Sequence, residues 1–218
     1  VSASHFTAIL PGSDIDRNVL SIQTEIAGAT AGDLLKIHVS DHGKVITAKT
    51  AKPGDKTEFI LDKPKLWSPA HPFLYDINVQ LFRDGALLDE VNSYAALRKI
   101  SIAPDTNGVQ RLMLNNEFLF QLGLLDQGWW PDGLYTAVSD KALKYDIEQC
   151  KAMGFNLLRK HVKVEPARWY YHCDRLGMLV WQDMPSGDLG NAWITDAAEE
   201  PQDKVRSAAS ETIYRTEL

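Results

Sequence analysis

The sequence predicts a chain of two parts, an all-β antiparallel sandwich followed by an α/β region with a parallel sheet. Three observations point there. Apolar and polar residues alternate in short runs through residues 1–103, turn chemistry separates those runs, and after Pro104 the pattern becomes strand, helix, strand, helix.

The run at 19–26 alternates and places Leu20, Ile22, Thr24 and Ile26 on one face. Runs at 35–39, 57–61 and 74–81 alternate in the same way. Between them stand Ala27-Gly28, Asp41-His42-Gly43, Pro53-Gly54-Asp55 and Arg83-Asp84-Gly85, residue types that tolerate positive φ or preset a turn. Short strands with no helical period between them read as a sandwich over residues 1–103. Cys150 and Cys173 both lie beyond it, so the disulfide of an immunoglobulin domain is absent and the likeness is one of architecture.

Past Pro104, strands at 109–114 and 117–121 flank Asn115-Asn116, a two-residue hairpin turn. Residues 122–125 are a nearly continuous apolar run, which predicts a strand buried on both faces. Ser139 is placed to cap a helix in which Leu143, Ile147 and Cys150 fall at i, i+4 and i+7, with Gly154 as its stop. A strand at 155–159 follows. Pro166 then opens a second helix with Trp169, Cys173 and Leu176 as its stripe and Gly177 at its end. A third strand spans 178–181, and 202–218 has helical composition with Val205, Ala209 and Ile213 on one face. Such alternation implies right-handed crossovers. An open doubly wound sheet and a (β/α)8 barrel both satisfy it, the barrel needing roughly 250 residues.

Of 218 residues, 44% are hydrophobic and 24% charged, the balance of an ordinary globular protein. A net charge of −6 with no basic stripe argues against a nucleic-acid partner, and no apolar run approaches bilayer length. Val1-Ser2-Ala3-Ser4-His5 lacks the basic and apolar stretches of a leader, although a start at Val1 leaves room for a segment ahead of it. The two cysteines lack metal-ligand spacing and sit on helical stripes, where a free thiol packs as a small hydrophobe.

Two segments carry a resemblance. Leu66-Trp67-Ser68-Pro69-Ala70-His71-Pro72-Phe73-Leu74-Tyr75 is similar to the LWSP-x-x-P-x-LY signature of the sandwich in glycoside hydrolase family 2. Asp146-Ile147, Lys151, Gly154-Phe155-Asn156, Arg159, His161, Tyr171, Cys173-Asp174, Leu176-Gly177 and Val180 resemble that family's first barrel units in order and spacing. Trp181-Gln182-Asp183 is closer to its mannosidase-like branch. The resemblance implies an immunoglobulin-like sandwich followed by the first three or so βα units of a (β/α)8 barrel over residues 104–218. It also implies a parent protein that is a retaining, β-galactosidase-like glycosidase in carbohydrate degradation, periplasmic or secreted. A non-catalytic carbohydrate-binding or scaffolding module is the competing reading.

Barrel sites form at the C-terminal ends of the strands. Those ends carry Asp126 with Gln127, Arg159 to His161, and Trp181 with Asp183. The resemblance implies that they face the sugar and that Arg159 holds the nucleophilic carboxylate. His161 stands two residues after the arginine, where the galactosidase pattern has three, which weakens its link to substrate. Trp129 and Trp130 lie on a long loop as sugar platforms, with a core position for one of them as the alternative. Asp126 and Asp183 read as partners of sugar hydroxyls, because a retaining pair must lie about 5 Å apart and these sit on the first and third strands. The family takes its acid and nucleophile from later glutamates, the first in an Asn-Glu motif; here Asn116-Glu117 is a turn. No catalytic residue and no cofactor are therefore expected. No metal is expected either, since Asp183-Met184-Pro185-Ser186 lacks the family's glutamate and histidine ligands. Trp67 and Tyr75 are expected to pack at the end of the sandwich, with stacking on a sugar as the alternative. Expected partners are a carbohydrate, the remainder of the barrel and, through an open strand edge, further copies of the chain. Residues 202–218 are expected to cover part of that edge.

Overall fold

The structure, a computed structural model, describes residues 3–185 and 207–218. Its first part is built from β1 (His5–Asp14), β2 (Val19–Ala27), β3 (Leu34–Asp41), β4 (Lys44–Ala51), β5 (Thr57–Ile60), β6 (Tyr75–Arg83) and β7 (Ala86–Ala95). They form two antiparallel sheets, β1-β2-β5 and β4-β3-β6-β7. Period-two alternation puts Leu35, Ile37 and Val39 of β3 and Ile77, Val79 and Leu81 of β6 on one face. There they meet Leu20, Ile22 and Phe59 from the other sheet, and all nine are essentially inaccessible. This is the sandwich, closed by apolar burial and needing no disulfide.

Three of its strands leave little trace in the pattern. β4 is an edge strand with no buried residue, so Val45 and Ile46 are exposed and no alternation results. β1, at the other sheet's edge, contains Pro11 and Gly12 and shifts register between Phe6 and Ala8. β7 returns from β6 across Asp84 and Gly85, whose φ values of 49° and 82° make the mirror-image turn favoured in hairpins.

A small antiparallel sheet follows: β8 (Ile100–Pro104), β9 (Gln110–Leu114) and β10 (Glu117–Phe118), in the order β10-β9-β8. Asn115 and Asn116 turn the hairpin with φ of 54° and 67°. The α/β part then runs β11 (Gly123–Asp126), α1 (Asp140–Ala152), β12 (Leu157–Lys160), α2 (Ala167–Leu176), β13 (Leu179–Gln182) and α3 (Ala208–Glu217). β11, β12 and β13 are parallel, with Asp126, Lys160 and Gln182 in register at their C-terminal ends. Ser139 caps α1 by accepting the Ala142 N–H at 3.1 Å. Leu143, Ile147, Leu158, Trp169, Cys173 and Met178 form the core between sheet and helices. Cys173 is buried, which pushes its thiol pKa up; Cys150 is half-buried, and both are free.

Two expectations need correction. The run at 122–125 is not buried on both faces: Leu122, Leu124 and Leu125 are 46%, 38% and 55% exposed, because β11 is an outer strand of its sheet, with no strand paired on its free side among the described residues. Nor does the last helix cover that edge. α3 buries no side chain and Ile213 is exposed, while Val205 lies outside the described residues.

The Leu66–Tyr75 segment joins the two parts. Trp67 is fully buried among Leu114, Leu157 and Leu179, and its indole N–H donates to the Asp174 carbonyl. Asn115 donates to the Trp67 carbonyl at 2.9 Å, and Lys151 donates to the Pro69 carbonyl at 2.6 Å. Gly177 ends α2 with φ of 77°, and a Cβ there would lie 2.5 Å from the Pro69 oxygen, so glycine serves both the helix cap and the contact. Packing, not ligand contact, is what this segment does. Tyr75 is likewise buried, accepting the Lys65 N–H at its hydroxyl.

Candidate functional site

Successive residues of a strand point to opposite faces, and this sorts the residues at the sheet's C-terminal end. Leu158 and Lys160 turn toward the helices, while Arg159 turns to the open face opposite Trp181 on β13. Arg159 grips Asp183 through two bonds, Nε to Oδ1 at 3.2 Å and an Nη to Oδ2 at 3.1 Å. Such a fork matches carboxylate geometry. The Arg159 guanidinium holds the Asp183 carboxyl below its ordinary range, so Asp183 is ionised at neutral pH and is no proton donor. Trp181 is half exposed and donates its indole N–H to Gln121 at 2.7 Å.

Asp126 belongs to a different cluster. Its Oδ2 accepts Lys160 Nζ at 2.6 Å and its Oδ1 accepts the Gly128 N–H at 2.8 Å. Lys160 is 1% exposed, lies 4.3 Å from the Trp169 ring centroid and also reaches Glu165 Oε1 at 2.9 Å. The same Glu165 oxygen pairs with Lys163 at 2.9 Å. Two cations and two carboxylates thus neutralise one another under the strand ends. The sequence reading missed Lys160, Lys163 and Glu165. Their signal is a strand end that continues through two lysines and a glutamate, Lys160, Lys163 and Glu165, up to Pro166, where solvent-facing loop residues would ordinarily stand.

The remaining candidates separate. His161 Nδ1 lies 3.2 Å from Gln127 Nε2, joining the ends of β11 and β12. Trp129 is 63% exposed and contacts Tyr135 at 5.0 Å between ring centroids. Trp130 instead packs against the α/β core, and its Nε1 is buried with no partner among the described residues. Of the two indoles Trp129 is the exposed one, because the loop turns back at once through mutual Trp130–Leu134 backbone bonds and drives the second indole inward. The structure brings Arg159, Trp181 and Asp183 to one face, ties Asp126 to the buried charges, and sets Trp129 on the neighbouring loop.

Known proteins resemble this chain in sequence and in fold. Residues 18–98 match the family described as glycosyl hydrolases family 2. The chain is 26% identical to the beta-galactosidase large subunit of Leuconostoc lactis, over 93% of this chain and 33% of that protein. It is 27% identical to beta-mannosidase B of Aspergillus terreus, over 77% of this chain and 21% of that one. A crystal structure of the beta-glucuronidase of Parabacteroides merdae superposes with a TM-score of 0.73 at 19% identity, covering 84% of this chain and 24% of that one, and shows the same fold. The chain spans 21% and 33% of the length of the first curated relatives it matches. With the sandwich and the parallel βα units in place, the chain matches glycosyl hydrolases family 2 over residues 18–98 and has the fold of an immunoglobulin-like domain followed by the onset of a (β/α)8 barrel.

Proposed function

We propose that the protein to which this chain belongs is a retaining β-glycosidase, and that the C-terminal ends of β11, β12 and β13 supply part of its sugar pocket. The observation that carries this reading is the exposed Arg159–Asp183 fork on the face where barrel enzymes bind substrate. An arginine so placed can hold a carboxylate, here Asp183, in the orientation that sugar hydroxyls or a reacting carboxylate require. Retaining chemistry needs one protonated and one nucleophilic carboxyl group. Asp183 is held ionised by Arg159, and Asp126 has both oxygens engaged by Lys160 and the Gly128 N–H, which favours binding roles for both and glutamates elsewhere in the protein for catalysis. Within the class we take the activity as β-galactosidase-like; support comes from the likeness to the Leuconostoc lactis subunit, which spans more of the chain than the likeness to the mannosidase.

Expression of the longer reading frame and assay on nitrophenyl β-galactoside, β-mannoside and β-glucuronide tests this, with the first-formed anomer read by NMR. Turnover of the galactoside with retention is expected. Turnover of none of the three, with sugar binding intact, would instead identify a carbohydrate-binding module.

A further inference from the structure

The loop between β11 and α1 closes on a single ammonium group. Lys163, 5% exposed, donates to the carbonyl oxygens of Gly128 and Tyr135, each at 2.9 Å, and pairs with Glu165 at 2.9 Å. Two of the three protons of the ammonium are thereby committed to carbonyl oxygens of the loop. Gly128 has φ of 65°, and a Cβ there would lie 2.5 Å from both Lys163 Nζ and Glu165 Oε1, so the clasp requires glycine. Inside the clasp the loop is fixed again by the Trp130–Leu134 pair of backbone bonds at 2.7 and 2.9 Å.

What the clasp leaves outside is an aromatic pair. Trp129 and Tyr135 follow or coincide with the clasped residues, are 63% and 47% exposed, and set their rings at a 58° tilt. Trp129 lines a cavity of about 520 Å³ together with Asp126, and Tyr135 lines another of about 590 Å³ together with Lys163. A buried lysine is costly to keep, and an apolar residue would fill its space at lower cost. What an apolar residue cannot do is hold two carbonyl oxygens at once. Rings fixed in advance lose little freedom when a ligand stacks on them.

We propose that Lys163 is a positioning residue for the Trp129–Tyr135 pair, and that the pair takes the apolar face of a pyranose ring beside the strand-end site. This rests on reading the C-terminal face of the sheet as a sugar site. Glu165 is the counter-charge that lets Lys163 stay buried, and through Lys160 it couples the clasp to Asp126.

The test uses the full 218-residue chain. Hydrogen exchange is followed across the wild type, Lys163→Met and Lys163→Arg, and saturation-transfer NMR is recorded with methyl β-D-galactopyranoside and methyl β-D-mannopyranoside. In Lys163→Met the amides of residues 128–138 should exchange about tenfold faster or more, with α1, α2 and the sandwich unchanged. Saturation transfer from aromatic protons to the sugar should be lost in Lys163→Met and in Trp129→Ala, and recover in Lys163→Arg. Unchanged loop exchange in Lys163→Met overturns the proposal, as does faster exchange throughout the α/β part, the mark of a merely structural lysine. Saturation transfer that survives Trp129→Ala, or none to the wild type from either glycoside, overturns the stacking role. The glycosidase reading stands or falls separately, on turnover by the longer protein.

Discussion

The indole N–H of Trp67 donates to the backbone carbonyl of Asp174 at 2.7 Å, joining the sandwich to the second helix of the α/β part across 107 residues of sequence. The Asp174 carboxylate completes the contact, accepting from Arg98 at 2.5 Å and from the Tyr94 hydroxyl at 2.9 Å. Arg98 lies over the Trp67 ring at 4.6 Å. Burial and the Asp174 charge push the Tyr94 phenol up, so it remains a donor at any ordinary pH.

Trp67→Ala should therefore cost about 3–5 kcal/mol and uncouple the two parts. Calorimetry should show one transition splitting into two. Trp67→Phe keeps most of the packing and loses the N–H, for about 1 kcal/mol. An unaltered single transition in Trp67→Ala would show that the parts are coupled elsewhere.

Residues 1–103 are expected to fold alone, because the core of both sheets is drawn from Leu20 to Leu97, with Phe6, Ile9 and Ile15 packed against it. Circular dichroism of that piece should give a cooperative melt, lower than in the full chain because Trp67 becomes exposed. A chain without a transition would count against it.

Asp33 gives the sandwich a signature in acid. It accepts both arms of the Arg83 fork, at 2.7 and 2.9 Å, and the Thr30 N–H at 2.8 Å, which hold its carboxyl well below the usual carboxylate range. A folded pKa below the unfolded value near 3.9 means stabilisation that is complete above that value and lost as pH falls through the folded pKa. Asp33→Asn should be less stable than wild type in urea melts at about pH 7, with the gap narrowing only below about pH 4. A gap independent of pH would place the effect in packing.

In the longer protein, Arg159→Ala should lower kcat/KM by about 10²-fold with little change in the melt, since the side chain is half exposed and packs little. Trp129→Ala should mainly raise KM. Small losses from both that track stability would make them packing residues.

The 218-residue chain by itself is expected to show no turnover of aryl β-glycosides and to self-associate. The outer strand β11 exposes Leu124 and Leu125, an unpaired edge with apolar flanks. Light scattering should show species larger than a monomer, and Leu125→Lys should reduce them. Turnover abolished by Asp183→Asn would reassign Asp126 and Asp183 as catalysts.

Local chemistry made most elements legible from sequence alone. Asn115-Asn116 announces its hairpin because few other residues accept positive φ twice, Ser139 announces a helix start through its own N–H acceptor, and Gly177 a helix end through its left-handed φ. Alternation in β2, β3 and β6 shows because one face of each is fully buried. It fails in β4, where an edge position buries nothing. It misleads at residues 122–125, where an apolar run lies on an outer strand and stays exposed. The resemblance to glycosyl hydrolases family 2 was also legible, since the Leu66–Tyr75 and Asp146–Val180 segments carry its residues at its spacing. What the sequence could not assign is which charges are buried. Lys160, Lys163 and Glu165 look like a solvated loop, and Trp129 and Trp130 look alike. Only tertiary structure brings Asp126 within 2.6 Å of Lys160 from 34 residues away, and Gly128 beneath Lys163 from 35. A charge is stable inside a protein only when its partners arrive with it, and those partners are set by strand register and loop closure, not by neighbours in the chain.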